Sequence, residues 1–298
     1  MGEIVLDPNP HWPLSGCASL TFPTYHPWLE APEAGIEAVV ALKAGLPVGL
    51  CLADARSEPA VLLSVAVARA ERKQGVAGTL IRAMAEKLSC RGCDRWVAQV
   101  PQGSFLGAME RLLRSRGWSG PWPHMRIYKT ATEKMSRIPW VRGLRIPSGV
   151  ELCPWSDVPI AELEEIKARE GTPGAHPVWL SPFFEEETMV RQTSLVARYG
   201  GRVVGWGINH EPATHVHRFT RYWAEGWFQR TGLAVVLMAE AARRIELSHF
   251  HQAVCAVHEG NGAMVSFCEK RISPVAFMTK TFEFSKIFSV KTEPKSIN

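Results

Sequence analysis

Two short glycine-bearing loops carry the residue types best suited to chemistry. The first reads Arg72-Lys73-Gln74-Gly75-Val76-Ala77 and the second Gln229-Arg230-Thr231-Gly232-Leu233-Ala234. Both fit Arg/Gln-x-x-Gly-x-Ala, and each joins a strand-like run to a helix-like run. Such a loop aims freed backbone N–H groups at one spot in front of a helix, which suits a phosphate or pyrophosphate. Neither is a Walker loop, because neither has a second Gly followed by Lys and Ser or Thr at the required spacing, and neither has the first Gly-x-Gly of a dinucleotide fingerprint. Other chemical candidates are sparser. His215-x-His217 has the spacing that sets two imidazoles on one face of a strand. No third ligand accompanies it, so a satisfied or solvent-facing pair is expected before a metal site. Cys90-x-x-Cys93 follows a helix-like run without a second CxxC, and reads as a turn. Glu164-Glu165 and Glu185-Glu186-Glu187 read as solvated faces, the second run being the one that would meet a cationic acceptor.

The elements around the two loops match. Val39 to Leu42, a turn at Lys43-Ala44-Gly45 and Pro47 to Leu52 form a hairpin ahead of the first. Leu195 to Arg198, a turn at Gly200-Gly201 and Val203 to Gly207 form one ahead of the second. The loop glycines lie 157 residues apart (232 − 75) and the hairpin glycines Gly49 and Gly205 lie 156 apart (205 − 49). Self-similarity with two copies and so long a period indicates tandem domains rather than a solenoid. Behind the first loop, the apolar spacing predicts a helix over Thr79 to Leu88, a strand over Asp94 to Val100, and a helix from Ser104 to Arg116 stopped by Gly117. Behind the second come a helix over Leu233 to Leu247, a strand over His251 to Val257 and a helix over Asn261 to Lys270. This order implies an α/β fold, a sheet with helices packed on its faces. The Pro- and Gly-bearing stretch 130–154 is the expected boundary, dividing the chain into residues 1–138 and 139–298. The tail after Ser285, with Lys286, Lys291 and Lys295, reads as a solvated terminus.

Composition sets outer limits. The 298 residues allow two domains, and the 46% apolar and 21% charged fractions are those of a globular protein. The longest apolar stretch, Ala38 to Ala53, is broken by Lys43 and Pro47, so no membrane span is expected. The N-terminus shows no signal-peptide pattern. Seven scattered cysteines fit a reducing cytoplasm better than a disulfide framework. A net charge of +5 without a dense basic stripe favours an anionic ligand over nucleic acid. Of the eleven tryptophans, Trp223 and Trp227 flank the second loop, where they would line an apolar groove or join the core.

These residues resemble the GCN5-related N-acetyltransferases (GNAT), and the resemblance extends over both halves. It rests on the two loops, on the strand Leu62-Leu63-Ser64-Val65-Ala66-Val67 and on the strand–helix unit that follows. It implies two tandem GNAT-like domains, each a mixed, mostly antiparallel sheet flanked by helices. It further implies that the loop holds the pyrophosphate of coenzyme A, while the preceding strand splays from its neighbour, binds the pantetheine arm and polarises the thioester. On that basis the cofactor contacts are Val65, Val67, Arg72, Gln74, Gly75, Val76, Ala77 and Gly78 in the first copy, and Gln229, Thr231, Gly232, Leu233, Ala234 and Asn261 in the second. The family's tyrosine general acid is replaced by Cys268 in the second copy and Leu113 in the first, where Leu106 also replaces the helix-opening Asn. Deprotonating an amine that titrates near ~10 calls for a base. His217 is the candidate base, where family members often carry a carboxylate, and Cys268 the candidate acid. The alternatives are an exposed histidine and a buried, inert thiol. The resemblance thus implies acyl-CoA as cofactor, acetyl-CoA by default, and an amine-bearing small molecule or peptide as acceptor. Longer-chain acylation of a Lys or ornithine side chain, and a non-catalytic CoA-binding module, are the alternatives. No metal is expected.

Overall fold

The computed structural model describes residues 3–246 and 248–288. In chain order the elements are β1 (Ile4–Asp7), α1 (His26–Glu30), β2 (Ile36–Lys43), β3 (Leu46–Asp54), β4 (Ala60–Val67), α2 (Val76–Cys90), β5 (Arg95–Pro101), α3 (Leu106–Arg114) and β6 (Ser119–Ala131). There follow α4 (Thr132–Ser136), α5 (Pro139–Gly143), β7 (Val150–Pro154), α6 (Ile160–Ala168), β8 (Leu195–Tyr199), β9 (Arg202–Ala213) and β10 (Val216–Ala224). The chain continues with α7 (Gly226–Arg230), α8 (Leu233–Ile245), β11 (Gln252–His258), α9 (Gly262–Arg271) and β12 (Phe277–Ile287). No helix among the described residues is long and apolar enough to cross a membrane.

The chain forms two compact units, one taking residues up to His124 and from Lys280 onward, the other Met125–Thr279. In the first unit the strand order is β1-β2-β3-β4-β5-β12. Only β4 and β5 run parallel; every other pair in this sheet is antiparallel. In the second unit the order is β6-β11-β10-β9-β8-β7, and only β10 and β11 run parallel. Each unit is therefore a mixed, mostly antiparallel sheet with helices against it.

The division is not a single cut at residue 138. From Met125, β6 pairs with β11, whereas Thr281 to Ile287 of β12 pair with Pro101 to Arg95 of β5. The first unit thus completes its sheet with the far end of the chain. Lys286, expected in a solvated tail, stands opposite Trp96 in that ladder and donates to the Arg116 carbonyl at 2.5 Å. Lys291 and Lys295 lie outside the described residues, as does Leu247 at the expected end of α8. The Pro- and Gly-bearing stretch is not a bare linker. It folds into α4 and α5, and Met135 of α4, Ile138 between them and Val141 of α5 join the core that includes α8.

Helix α2 buries Val76, Leu80, Ile81, Met84, Ala85 and Leu88, one stripe at helical spacing. The stripe packs with Val39, Cys51, Leu62, Trp96 and Trp118 in the core of the first unit. Helix α8 is covered more completely, burying eight of its 13 residues. Sheet packs on one side of it, while α4 and α5 pack elsewhere on it. Leu80 is fully buried in the first core. Truncation to Ala is expected to destabilise the protein by about 2–5 kcal/mol in chemical denaturation. A loss below about 1 kcal/mol would contradict its place in a packed core.

Candidate active site

In the first unit the parallel ladder lasts three residue pairs, Ala60↔Trp96, Val61↔Val97 and Leu62↔Ala98. The strand β4 then bulges at Leu63, where its register against β3 slips between Leu62 and Ser64. Beyond that point β4 stays paired with β3 as far as Val67 while β5 stays paired with β12, so the two parallel strands part. The β4 edge from Leu63 to Val67 faces no strand, and its N–H and C=O groups need other partners. One is found: Arg72 Nε donates to the Val67 carbonyl at 2.9 Å.

Five residues past the last exposed carbonyl the chain enters its phosphate-type loop. Gly75 caps α2 in the left-handed region (φ 81°) and no side chain caps the helix. Lys73 is also left-handed (φ 63°). Residues 72–75 are exposed, and no atom lies within 4 Å of where a Gly75 Cβ would stand. The buried side chain of Val76 leaves only its backbone N–H to face outward. Gln74 Nε2 donates to Glu71 Oε2 at 3.2 Å. Arg69, Arg72 and Lys73 outnumber the one carboxylate of the loop, Glu71, which pairs with Lys43 at 2.7 Å, and leave it cationic. A further cation comes from α3's far side, since a Cβ at Gly78 would collide with the Arg116 guanidinium. No local spacing in the sequence signals that contact, which joins residues 38 positions apart (116 − 78).

The second unit repeats the geometry. The parallel pairs His217↔Ala253, Arg218↔Val254 and Phe219↔Cys255 are the last before the strands part. Each lies 157 residues after its counterpart, as 217 − 60 and 253 − 96 show. The bulge recurs at Thr220, between Phe219 and Arg221, again 157 residues on (220 − 63). Gly232 caps α8 at φ 74° without a side-chain cap. Here the surroundings differ. Thr231 Oγ1 is turned back onto the Phe228 carbonyl at 2.8 Å, and Leu233 is fully buried, offering only its amide. Gln229 is exposed. Arg230 is the loop's own cation, and nearby Glu225 pairs with Arg202 at 2.7 Å and Arg169 at 3.7 Å. Tyr222 occupies the strand position held by Val65 in the first copy (222 − 65 = 157), its hydroxyl donating to Asn209 Oδ1 at 2.5 Å.

The expected acid and base both lie in the core. His217 is fully buried, ringed by Phe219 and Phe250, with Nε2 2.8 Å from Thr193 Oγ1. Burial, helped by the charge of His210, lowers it from 6.5 to about 3. Cys268 is fully buried in the core of the second unit as a free thiol hydrogen-bonded to the Cys255 thiol, a bond that lowers the pKa of Cys268 and, with burial, raises that of Cys255. Neither side chain reaches solvent: Cys268 is buried, and His217 is buried too, not exposed at a strand start. Asn261 Oδ1 accepts from Met264 N at 3.1 Å, which makes it the N-cap of α9. His215 does not share a face with His217; it is exposed in a turn at φ 63°, with Nδ1 2.9 Å from the His249 carbonyl. Among the described residues no group of three or more His, Cys, Asp or Glu is placed to hold a metal. Cys90 ends α2 and Cys93 follows it in a turn, both as free thiols. An open cleft of about 540 Å³, lined by Glu187, Gln192, Glu211, Thr214, His249 and Phe250, lies at the start of β10, the end away from Gly232.

The depressed His217 has a consequence for stability. Between about pH 3 and 6.5 the unfolded chain binds a proton there that the folded chain refuses. Stability from this group is therefore complete above about pH 6.5 and is lost as pH falls toward 3. His217→Gln is expected to lessen that acid loss, followed by tryptophan fluorescence, while the pH dependence of acyl transfer stays unchanged. A displaced pH–rate profile would restore the histidine as a base.

Residues 6–110 match the model of the acetyltransferase (GNAT) family. No curated protein matches the chain by sequence. Among solved structures, the chain is similar to a GCN5-related N-acetyltransferase from Sphaerobacter thermophilus, 14% identical over 95% of each chain with a TM-score of 0.68. It is similar to a tandem GNAT protein from the clavulanic acid biosynthesis pathway, 13% identical over 85% of this chain and 82% of that one, TM-score 0.61. It also resembles the glucosamine N-acetyltransferase region of a fungal multi-domain GH3 β-N-acetylglucosaminidase, 13% identical, TM-score 0.69, over 95% of this chain and 38% of that one. Identities this low speak for the fold, and the fold agrees with the family match and with the parted strands found twice. Residues 6–110 thus match the acetyltransferase (GNAT) family by sequence, and the chain as a whole is similar in fold to GCN5-related N-acetyltransferases, a tandem GNAT protein among them.

Proposed function

We propose that this protein is an acyl-CoA-dependent N-acyltransferase that moves an acyl group, acetyl by default, to a primary amine by direct transfer, and that the first unit performs the transfer. The observation carrying this reading is the combination found there: a strand edge without a neighbour leading into an uncapped, cationic helix N-terminus. The amides of Val76, Ala77 and Gly78, with Gly75, Arg72 and Gln74, are suited to the pyrophosphate. The backbone of β4 around Val65 and Val67 is suited to the extended arm, as an added strand pairs with an open edge. When bound, acyl-CoA supplies the activated acyl group as a thioester. The residues of the chain hold and orient, and the open N–H groups of β4 favour the oxygen on which negative charge develops. The acceptor is an amine on a small molecule or a peptide.

Two features favour the first unit over the second. Its loop carries Arg69, Arg72, Lys73 and Arg116 against Glu71, itself paired with Lys43, whereas the second loop has Arg230 as its own cation, and the arginines Arg202 and Arg169 beside it are engaged by Glu225. Its open strand carries Val65 where the second carries the bulkier Tyr222. In the second unit the corresponding contacts are Gln229, Thr231, Gly232, Leu233 and Ala234, which suit a retained or vestigial CoA site. Trp223 packs at 4.4 Å against Trp206 within a buried cluster, so it gives no lining for a longer acyl chain.

Thiol release from acetyl-CoA against a panel of amines and peptides tests the activity. Gly75→Val puts a branched side chain at a left-handed position in front of the helix. It is expected to lower kcat/KM for acetyl-CoA about tenfold or more, with Gly232→Val within about twofold of the parent. Equal tolerance of both changes would overturn the assignment to the first unit. Absence of thiol release with every amine, alongside a saturable rise in Tm with acetyl-CoA, would favour a binding module instead.

A further inference from the structure

The position that follows the bulge differs between the units. In the first it is Ser64, buried and 2.9 Å from the Thr21 hydroxyl, a neutral pair. In the second it is Arg221 (221 − 64 = 157). Its guanidinium is largely buried and stacks over the Phe184 ring at 5.2 Å. Nη2 reaches Glu185 Oε1 at 3.4 Å, while Nη1 is buried without a protein partner. Arg218 pairs with the other oxygen of the same carboxylate. Two guanidiniums therefore share one carboxylate, and one of them keeps an unanswered donor.

The carboxylate is held there by a chain of hydrogen bonds anchored at the bulge. His210 is fully buried, with Nε2 3.1 Å from the Phe184 carbonyl, which can only accept. Its proton is thus on Nε2, and Nδ1 lies 2.8 Å from the Thr220 hydroxyl, whose one hydrogen is shared between Nδ1 and the Arg218 carbonyl 3.1 Å away. Arg218 Nε donates in turn to Thr220 Oγ1 at 3.3 Å. The chain ties the 184–185 segment to the point where β10 leaves β11. Glu185 takes up a left-handed backbone (φ 59°) there, unfavourable for a non-glycine residue. Its side chain stays 42% exposed, so it covers the arginines from the solvent side. Burial alone would raise the Glu185 carboxyl, but the Arg218 bond and the charges of Arg218 and Arg221 hold it down, as an ion.

A strained, exposed carboxylate seated on two sheltered guanidiniums has the character of an internal stand-in. We propose that Arg221 and Arg218 form a binding site in the second unit for a small carboxylate-bearing molecule, and that Glu185 occupies it until such a ligand displaces it. Planar guanidiniums match a carboxylate bidentately, and the spare Nη1 donor of Arg221 is the contact that Glu185 leaves unmade. Swinging the Glu185 side chain outward leaves two sheltered cations without a counter-ion, which only another anion restores. This site stands whether or not the first unit transfers acyl groups.

Calorimetric titration of the full chain with sodium succinate, at constant ionic strength, tests the site; succinamide is the uncharged control. Glu185→Gln removes the competing charge and is expected to tighten succinate binding about tenfold or more over the parent, with no measurable binding of succinamide. Arg221→Lys in the Glu185→Gln background is expected to reverse that gain, because an ammonium cannot make the bidentate contact. Circular dichroism and Tm establish that each variant is folded. Succinate binding that is no tighter in Glu185→Gln than in the parent overturns the proposal. So does binding that survives Arg221→Lys, and so does tighter binding of inorganic phosphate than of succinate.

Discussion

Everything in this protein that can do chemistry follows from two parallel strands that stay together for only a few residues. A parallel ladder ordinarily satisfies both strands along their length. Here a one-residue bulge, at Leu63 and again at Thr220, turns the strand away just as the pairing ends. Each buried backbone group left without a partner costs about 1–3 kcal/mol. Such an edge persists because the opposite side of β4 and β10 is fully paired with β3 and β9. The open edge then leads into a left-handed glycine and a helix whose first amides no side chain caps. Strand edge and helix N-terminus are both donors awaiting a ligand, and they are joined by a few residues.

The constraint is duplicated, and the copies have used it differently. Register, bulge and capping glycine recur at a constant offset of 157 residues, as between 75 and 232. Side chains around them do not. The first copy surrounds its loop with arginine and lysine and keeps small residues along the open strand. The second fills the same strand with Arg221, Tyr222 and Trp223, buries His217 and Cys268, and ties its bulge into a network that reaches Glu185. The proposed cofactor cradle lies in the first unit and the proposed carboxylate site in the second, on the same frame.

The loops, hairpins and helices were legible in the sequence because each is encoded locally. The left-handed glycine stands between apolar runs of period two and period 3.6, and those runs gave α2, α8, β5 and β11 to within a few residues. What lay out of reach depends on distant partners. The exchange by which β12 completes the first sheet pairs Thr281 with Pro101, and nothing in either segment names the other. Pro139 and Gly143 suggested a linker, yet Pro139 stands at a helix start and Val141 is held in the core, so burial overrode punctuation. His217 alternates like any strand residue; that Phe250 covers it could not be read from spacing. Arg116 beside Gly78 and Glu185 beside Arg221 are likewise contacts made only by folding.

The helix amides behind the left-handed glycine are the proposed seat of the cofactor. Backbone amide resonances of the ¹⁵N-labelled protein, titrated with acetyl-CoA, examine this directly. Saturable shifts centred on Gly75, Val76, Ala77 and Gly78 and extending along β4 to Val65 are the predicted result. Saturation with those amides unmoved, and shifts confined to residues remote from both loops, would contradict it.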